Sequence, residues 1–237
     1  MELNLKTILL KFSGPLQSWG TGSHFETRHT DTHPSKSAVI GMIAAGLGCS
    51  REDDGNVARL TSLDYAVRVD QTGQLLRDYH TAKKYKANGE FDRTYVTTRY
   101  YLQDAVFLVA LSSDDERLID DVQSAIVSPY YSLYLGRRSA PPTFDLLLGV
   151  FEQDAINLLR EYPWQASAWY QKKNSGRLNI YADESLLSGK NIRIRNDGVF
   201  SFSQIRGRKF SPRKEVNISV DLLKVEDHDA YDAIGEN

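Results

Sequence analysis

Residues Ala105–Ile126, AVFLVALSSDDERLIDDVQSAI, carry the reading on which the fold turns. The continuous apolar run Ala105 to Leu111 fits a central strand covered on both faces. Ser113-Asp114-Asp115-Glu116 is then a capping-box signature, and Leu118, Ile119, Val122 and Ile126 recur at helical spacing on one face. Pro129 ends that helix. A buried strand feeding an amphipathic helix is half of an α+β unit, so the other half is sought upstream.

There Leu5 to Phe12 reads as a first strand and Ser35 to Leu47 as a helix. Ser35 is the expected N-cap, Val39, Met42, Ile43 and Leu47 fall at helical spacing, and Gly48 can end it. Leu63 to Asp70 alternates apolar and polar residues as a strand does. With Tyr131 to Leu135 expected as a last strand, the order is β-α-β followed by β-α-β. That is the α+β, ferredoxin-like arrangement shared by RNA-recognition-motif sheets.

Two stretches exceed that minimal unit. Gln74 to Gln103 is long and polar, with Arg77, Lys83, Lys84, Lys86, Arg93 and Arg99 against Asp78, Glu90 and Asp92. Asn88-Gly89 is a hairpin-turn signal and Thr94 to Tyr101 is rich in β-formers, which predicts a protruding basic β-hairpin. The remaining residues, 151–237, are expected to form a small, mostly β subdomain behind a first domain over 1–150. It would hold a short helix (Asp154 to Glu161), strands near Leu178–Ala182, Ile192–Arg195 and Val216–Val220, and an acidic tail.

Charge is segregated within a chain whose formal net charge is only −2. Lys190 to Lys214 holds Lys190, Arg193, Arg195, Arg206, Arg208, Lys209, Arg213 and Lys214 against Asp197 alone, whereas Asp221 to Asn237 is acidic. Such a segment can meet a polyanion locally, or be an ordinary solvated face. The single cysteine, Cys49, excludes an internal disulfide framework and suits a reducing compartment. No signal peptide and no apolar stretch of membrane-spanning length is read, so a soluble cytoplasmic protein is expected.

The stretch Gly14-Pro15-Leu16-Gln17-Ser18-Trp19-Gly20 places an amide, a hydroxyl and an indole between two glycines. It suits a polar, stackable partner such as a nucleotide; equally, it is a strand end with Trp19 capping the core. His24, His29 and His33 share one loop without a cysteine, which gives little basis for zinc. His80 precedes Lys83 and Lys84, a combination that serves phosphate binding or, less directly, acid–base cleavage of RNA. Gly136-Arg137-Arg138 offers two guanidiniums for phosphate, or is a plain strand exit. Phosphate-loop, dinucleotide, nucleophile-elbow and RNP signatures are absent from the sequence.

Taken in order, Gly14–Gly20, Thr27-Arg28-His29-Thr30, Pro34-Ser35-Lys36-Ser37, Arg77-Asp78-Tyr79-His80-Thr81 and Tyr134-Leu135-Gly136-Arg137-Arg138-Ser139 resemble the CasD family of subunits of the type I-E CRISPR effector, Cascade. The resemblance covers roughly 5–150 and thins toward Arg206–Arg213. It implies a RAMP-superfamily, ferredoxin-like core with a hairpin thumb and a non-catalytic role in antiviral defence. The implied partners are the 5′ handle of the crRNA, a Cascade backbone subunit and the large subunit, with target DNA met only indirectly. No membrane, cofactor or metal is implied. Candidate RNA contacts are Gln17, Ser18, Trp19, Arg28, Ser35, Lys36, His80, Lys83, Lys84, Arg137, Arg138, Arg206 and Arg208. Type I-C relatives cleave the repeat with a tyrosine, a lysine and a histidine. The alternative is therefore a metal-independent endoribonuclease using Tyr79, His80 and Lys83.

Overall fold

The run Ala105–Leu111 supplies an interior strand of the larger of two sheets. The computed structural model describes residues 5–20, 26–187 and 191–222. Its first half runs β1 (Lys6–Ser13), β2 (Leu16–Gln17), β3 (Thr27–Arg28), α1 (Lys36–Gly46), α2 (Asp54–Thr61), β4 (Asp64–Gln71), β5 (Gln74–Tyr85) and β6 (Phe91–Gln103). There follow β7 (Val106–Ser113), α3 (Glu116–Val127), β8 (Leu147–Phe151), α4 (Ala155–Glu161), α5 (Ala168–Lys173), β9 (Arg177–Asp183), β10 (Ile192–Ser201) and β11 (Lys209–Asp221).

The main sheet has the order β10-β11-β9-β4-β7-β1-β8. Within it, β4-β7-β1-β8, linked by α1 and α3, is the ferredoxin-like unit, and its neighbouring strands are all antiparallel. Strand side chains alternate between faces. Ile8, Leu10, Phe12, Tyr65, Val67, Phe107, Val109 and Leu111 pack against Ile40 and Ile43 of α1 and Ile119 and Val122 of α3. The alternate positions Leu9, Ala66, Leu108 and Ala110 meet Ala155, Ile156, Leu158 and Leu159 of α4. The helix after β7 starts as its sequence demands, with the Asp115 carboxylate accepting from the amides of Arg117 and Leu118.

Two expectations are corrected. Tyr131–Leu135 forms no strand; the fourth strand of the unit is β8, which pairs with β1. The earlier segment lies between Pro129 and the Pro141-Pro142 stop, and its backbone is engaged by loops. The Leu135 amide donates to Ala140 O (2.7 Å), while its carbonyl accepts from the Ser18 amide (3.1 Å). The C-terminal strands also make no sheet of their own. Over Ala66–Val69, β9 pairs directly with β4, so β9, β10 and β11 extend the same sheet across the expected boundary at 150. Most of the acidic tail lies outside the described residues.

The basic hairpin is present as read. β5 and β6 pair from Gln74↔Gln103 out to Tyr85↔Phe91, and Gly89 turns the chain at φ +86°. Residues 81–96 are exposed throughout, so the outer hairpin has no core and projects from the body. At its root β6 also pairs with β2 and, in parallel, with β3. That second sheet is where the chemistry gathers.

Candidate nucleic-acid interface

The Gly14–Gly20 stretch turns its side chains inward. Gln17 is fully buried; its amide nitrogen donates to Phe12 O (3.2 Å) and Ala105 O (2.8 Å), and its amide oxygen accepts from the Trp19 indole (3.1 Å). Trp19 is buried and stacks on Phe12 at 5.4 Å. Gln17 and Trp19 therefore have nothing to offer a nucleotide: buried polar groups demand partners, and here the chain supplies all of them. Ser18 is likewise engaged, its hydroxyl donating to Tyr100 O (3.1 Å). The stretch is a clamp that ties β6 to the loop after Leu135.

The start of α1 is also filled from within. The Ser35 hydroxyl caps the Ala38 amide, and the Lys36 amide donates to the Asp197 carboxylate (3.0 Å). The Lys36 ammonium is buried against Asp183 (3.0 Å). An internal carboxylate thus occupies the helix start, so Ser35 and Lys36, both candidate RNA contacts, are not free for RNA. The same network removes two cations from the basic segment. Arg213 pairs with Asp183, Asp197 and Glu215, each at 2.8 Å, and Arg195 pairs with Asp31 at 2.7 Å and contacts His33 and Glu215. His33 stacks on Tyr181 at 4.0 Å, and burial holds its imidazole below the usual pKa. Burial works against the Glu215 carboxylate, yet His33, Arg195 and Arg213 bring it down to about 2. Arg206 is bridged to Asp54 at 2.8 Å, which leaves Arg208 exposed beside it. Among the described residues no group of His, Cys, Asp and Glu is arranged to hold a metal; His24 lies outside them.

Three arginines from separate elements converge at the hairpin root. Parallel pairing sets Arg28 of β3 beside Arg99 of β6, and Asp78 of β5 lies across from Arg99. Arg137 reaches the same place from the loop after Leu135, its guanidinium carbon 5.0 Å from the centroid of Tyr101. That reach depends on Gly136. Its φ is +84°, and a Cβ there would fall 1.7 Å from Ser18 O, so the clamp and the arginine loop meet at a glycine. Burial lowers the Arg137 pKa below the ordinary arginine value; Tyr101 opposes this, while Arg99 and Arg28 lower it further. The Nε atoms of Arg99 and Arg137 are buried with no hydrogen-bond partner among the described residues. Three guanidiniums facing one carboxylate, two with orphaned donors, form a site that an anion would complete. On the opposite face of β6, His29 stacks on Tyr100 at 5.4 Å.

Of the sequence candidates, Arg28 and Arg137 meet here, and Arg138 is exposed next to them. Arg99 and Tyr101 were missed; the signal was the two-residue period of β6, which puts both on one face. The possible catalytic trio is split by that same period. Tyr79 and Lys83 project from one face of β5 and His80 from the other, where the His80 ring nitrogen lies 3.4 Å from the Thr97 hydroxyl. Lys83 and Lys84 are exposed along the outer hairpin, Lys84 within 3.4 Å of Asp92.

Comparison with known proteins agrees with this architecture. The family model described as CRISPR-associated protein (Cas_Cas5) matches residues 7–210. The CRISPR system Cascade subunit CasD of Escherichia coli (strain K12) is 37% identical over 158 residues, covering 60% of this chain and 70% of that protein. Among solved structures, a chain of a CRISPR RNA-guided surveillance complex superposes with a TM-score of 0.75 at 32% identity, covering 91% of this chain and 90% of the other. A second, described as a Cas protein, gives 0.67 at 30% identity, with 91% and 95% covered. The chain belongs to the Cas5 family of CRISPR-associated proteins.

Proposed function

We propose that this protein is a non-catalytic subunit of a type I-E CRISPR surveillance complex that holds the 5′ handle of the crRNA, next to a backbone subunit and the large subunit. The observation that carries this reading is the pair of orphaned guanidinium nitrogens, Arg99 Nε and Arg137 Nε, in a three-arginine cluster at the hairpin root. Guanidinium groups bind phosphate in two-point fashion and stack on bases, and single-stranded RNA is gripped by such combinations. Tyr101, buried beneath Arg137, supports that guanidinium from below. Kinship with the E. coli Cascade subunit and with a chain of an RNA-guided surveillance complex supports the assembly role. Against a catalytic role stands the division of Tyr79 and Lys83 from His80.

The test is nuclease protection of the crRNA in the complex reconstituted with the other subunits from the same locus. The double variant Arg99→Ala/Arg137→Ala should expose the 5′ nucleotides while the spacer stays protected; unchanged 5′ protection would argue against the site. Incubation of the protein with repeat RNA and EDTA should leave the RNA whole. A single cut abolished by His80→Ala would establish the nuclease instead.

A further inference from the structure

A second surface, outside the arginine cluster, is built where β4 turns into the hairpin. Trp169 is 53% exposed, an unusual placement for the largest side chain, and it stands on a heavily braced support. The Ser167 amide and hydroxyl both donate to Gln71 Oε1 (3.2 and 2.9 Å), fixing the start of α5 to β4. The Trp164 indole donates to Asp70 O (2.8 Å), and Asp70 is itself locked by Arg68 (2.6 Å). Tyr170 packs edge-on against both tryptophans, 5.7 Å from Trp169 and 6.3 Å from Trp164. Lys173 lies 5.9 Å from the Trp169 ring centroid. The hydrogen bonds fix the segment that carries Trp169, and the indole itself stays exposed.

Tyr170 is also one wall of a cavity of about 110 Å³ that Thr72, Asn174, Arg177 and Asn179 help to line. Two of its amides are half-used. Asn174 donates its NH₂ to Tyr170 O (2.9 Å), which leaves its carbonyl oxygen as an acceptor. Asn179 accepts from the Ser219 hydroxyl (2.9 Å), which leaves its NH₂ as a donor. These orientations follow from the hydrogen-bond assignments. An acceptor and a donor lining one cavity suit the edge of a nucleobase, and a neighbouring exposed indole suits its face. Arg177 is exposed at the rim and has no ion pair among the described residues.

We propose that α5 and this cavity form a second nucleotide site for single-stranded RNA. One base stacks on Trp169, the edge of it or its neighbour meets Asn174 and Asn179, and Lys173 and Arg177 face the backbone phosphates. The proposal rests on the RNA-binding reading given above and places a further contact on the opposite flank of the hairpin root, beside Thr72.

The experiment uses the full chain and single-stranded uridine and adenosine RNAs of about eight nucleotides, within the site sizes usual for stacking platforms. Trp19 is buried and Trp164 is bonded to Asp70, so Trp169 is the tryptophan available for stacking. RNA should quench the tryptophan emission. Trp169→Phe should lose the quenching and keep the affinity measured by anisotropy, whereas Trp169→Ala should lose on the order of tenfold in affinity. Arg99→Ala/Arg137→Ala should bind more weakly yet still show full quenching at saturation. Wild-type affinity in Trp169→Ala, with its melting temperature unchanged, would overturn the proposal. So would the absence of quenching at RNA concentrations that saturate the anisotropy, or reduced capture of partner subunits by Trp169→Ala with RNA affinity intact. Loss of affinity in Trp169→Ala alone, with the double arginine variant binding as wild type, would uphold this site and reject the arginine cluster.

Discussion

The guanidinium carbon of Arg137 sits 5.0 Å from the centroid of the Tyr101 ring, so a loop cation is stacked over a buried ring of the hairpin strand. The geometry favours guanidinium over ammonium, because a planar ion can stack and still present donors at its edge. Arg137→Lys keeps the charge and loses the stack. It should bind single-stranded RNA several-fold more weakly than wild type in anisotropy titrations, and Tyr101→Leu should do the same while Tyr101→Phe does not.

Gln17 was a candidate reader of RNA and is instead a structural amide. Gln17→Ala leaves Phe12 O, Ala105 O and the Trp19 indole without their partner in a site closed to water. A loss of about 2–4 kcal/mol is expected in denaturant unfolding. RNA affinity per folded molecule should stay within twofold of wild type.

Gly136→Ala should be worse. The residue has φ +84°, and its Cβ would be forced to within 1.7 Å of Ser18 O. Relief requires separating the Gly14–Gly20 clamp from the arginine loop, with a loss exceeding about 3 kcal/mol. Reduced soluble yield and a lowered thermal midpoint are the readouts. Where folded protein is recovered, RNA binding should fall as well, because Arg137 moves with its neighbour.

How much of this was legible follows from how far each partner lies along the chain. The strand and helix of Ala105–Ile126 declare themselves through local periodicity, and the structure keeps both. Ser35 was also read correctly as a cap. What fills the helix start is Asp197, 161 residues onward, and no local pattern announces it. Arg195 and Arg213 read as part of a basic run because their countercharges, Asp31, Asp183, Asp197 and Glu215, are brought to them only by sheet pairing. Arg99 was hidden among other hairpin cations until β3 was placed beside it. Tyr131–Leu135 misled because a β-forming composition says nothing about whether a ladder partner is within reach.

The buried network gives a pH signature. The folded His33 pKa lies below the ordinary 6.5, chiefly through burial, among Arg195, Glu215, Asp31 and Tyr181. The unfolded chain therefore takes up a proton that the folded chain resists, and stability declines as pH falls below about 6.5. Glu215, at about 2 when folded against 4.5 otherwise, adds a second decline between those values. Thermal midpoints should be level above neutrality and fall in these two stages. His33→Gln should remove the upper stage and also narrow the lower, because His33 is one of the groups that hold Glu215 down.

The most direct test of the central claim is the salt dependence of RNA binding by the full chain and by Arg99→Ala/Arg137→Ala, between 50 and 200 mM salt. Each phosphate contact on a single strand contributes about −0.7 to the slope of log affinity against log salt. If the hairpin-root arginines hold RNA phosphates, the double variant should bind at least tenfold more weakly at low salt, with a slope shallower by about 1.4. Equal affinity and an unchanged slope in a variant of wild-type stability would contradict the account.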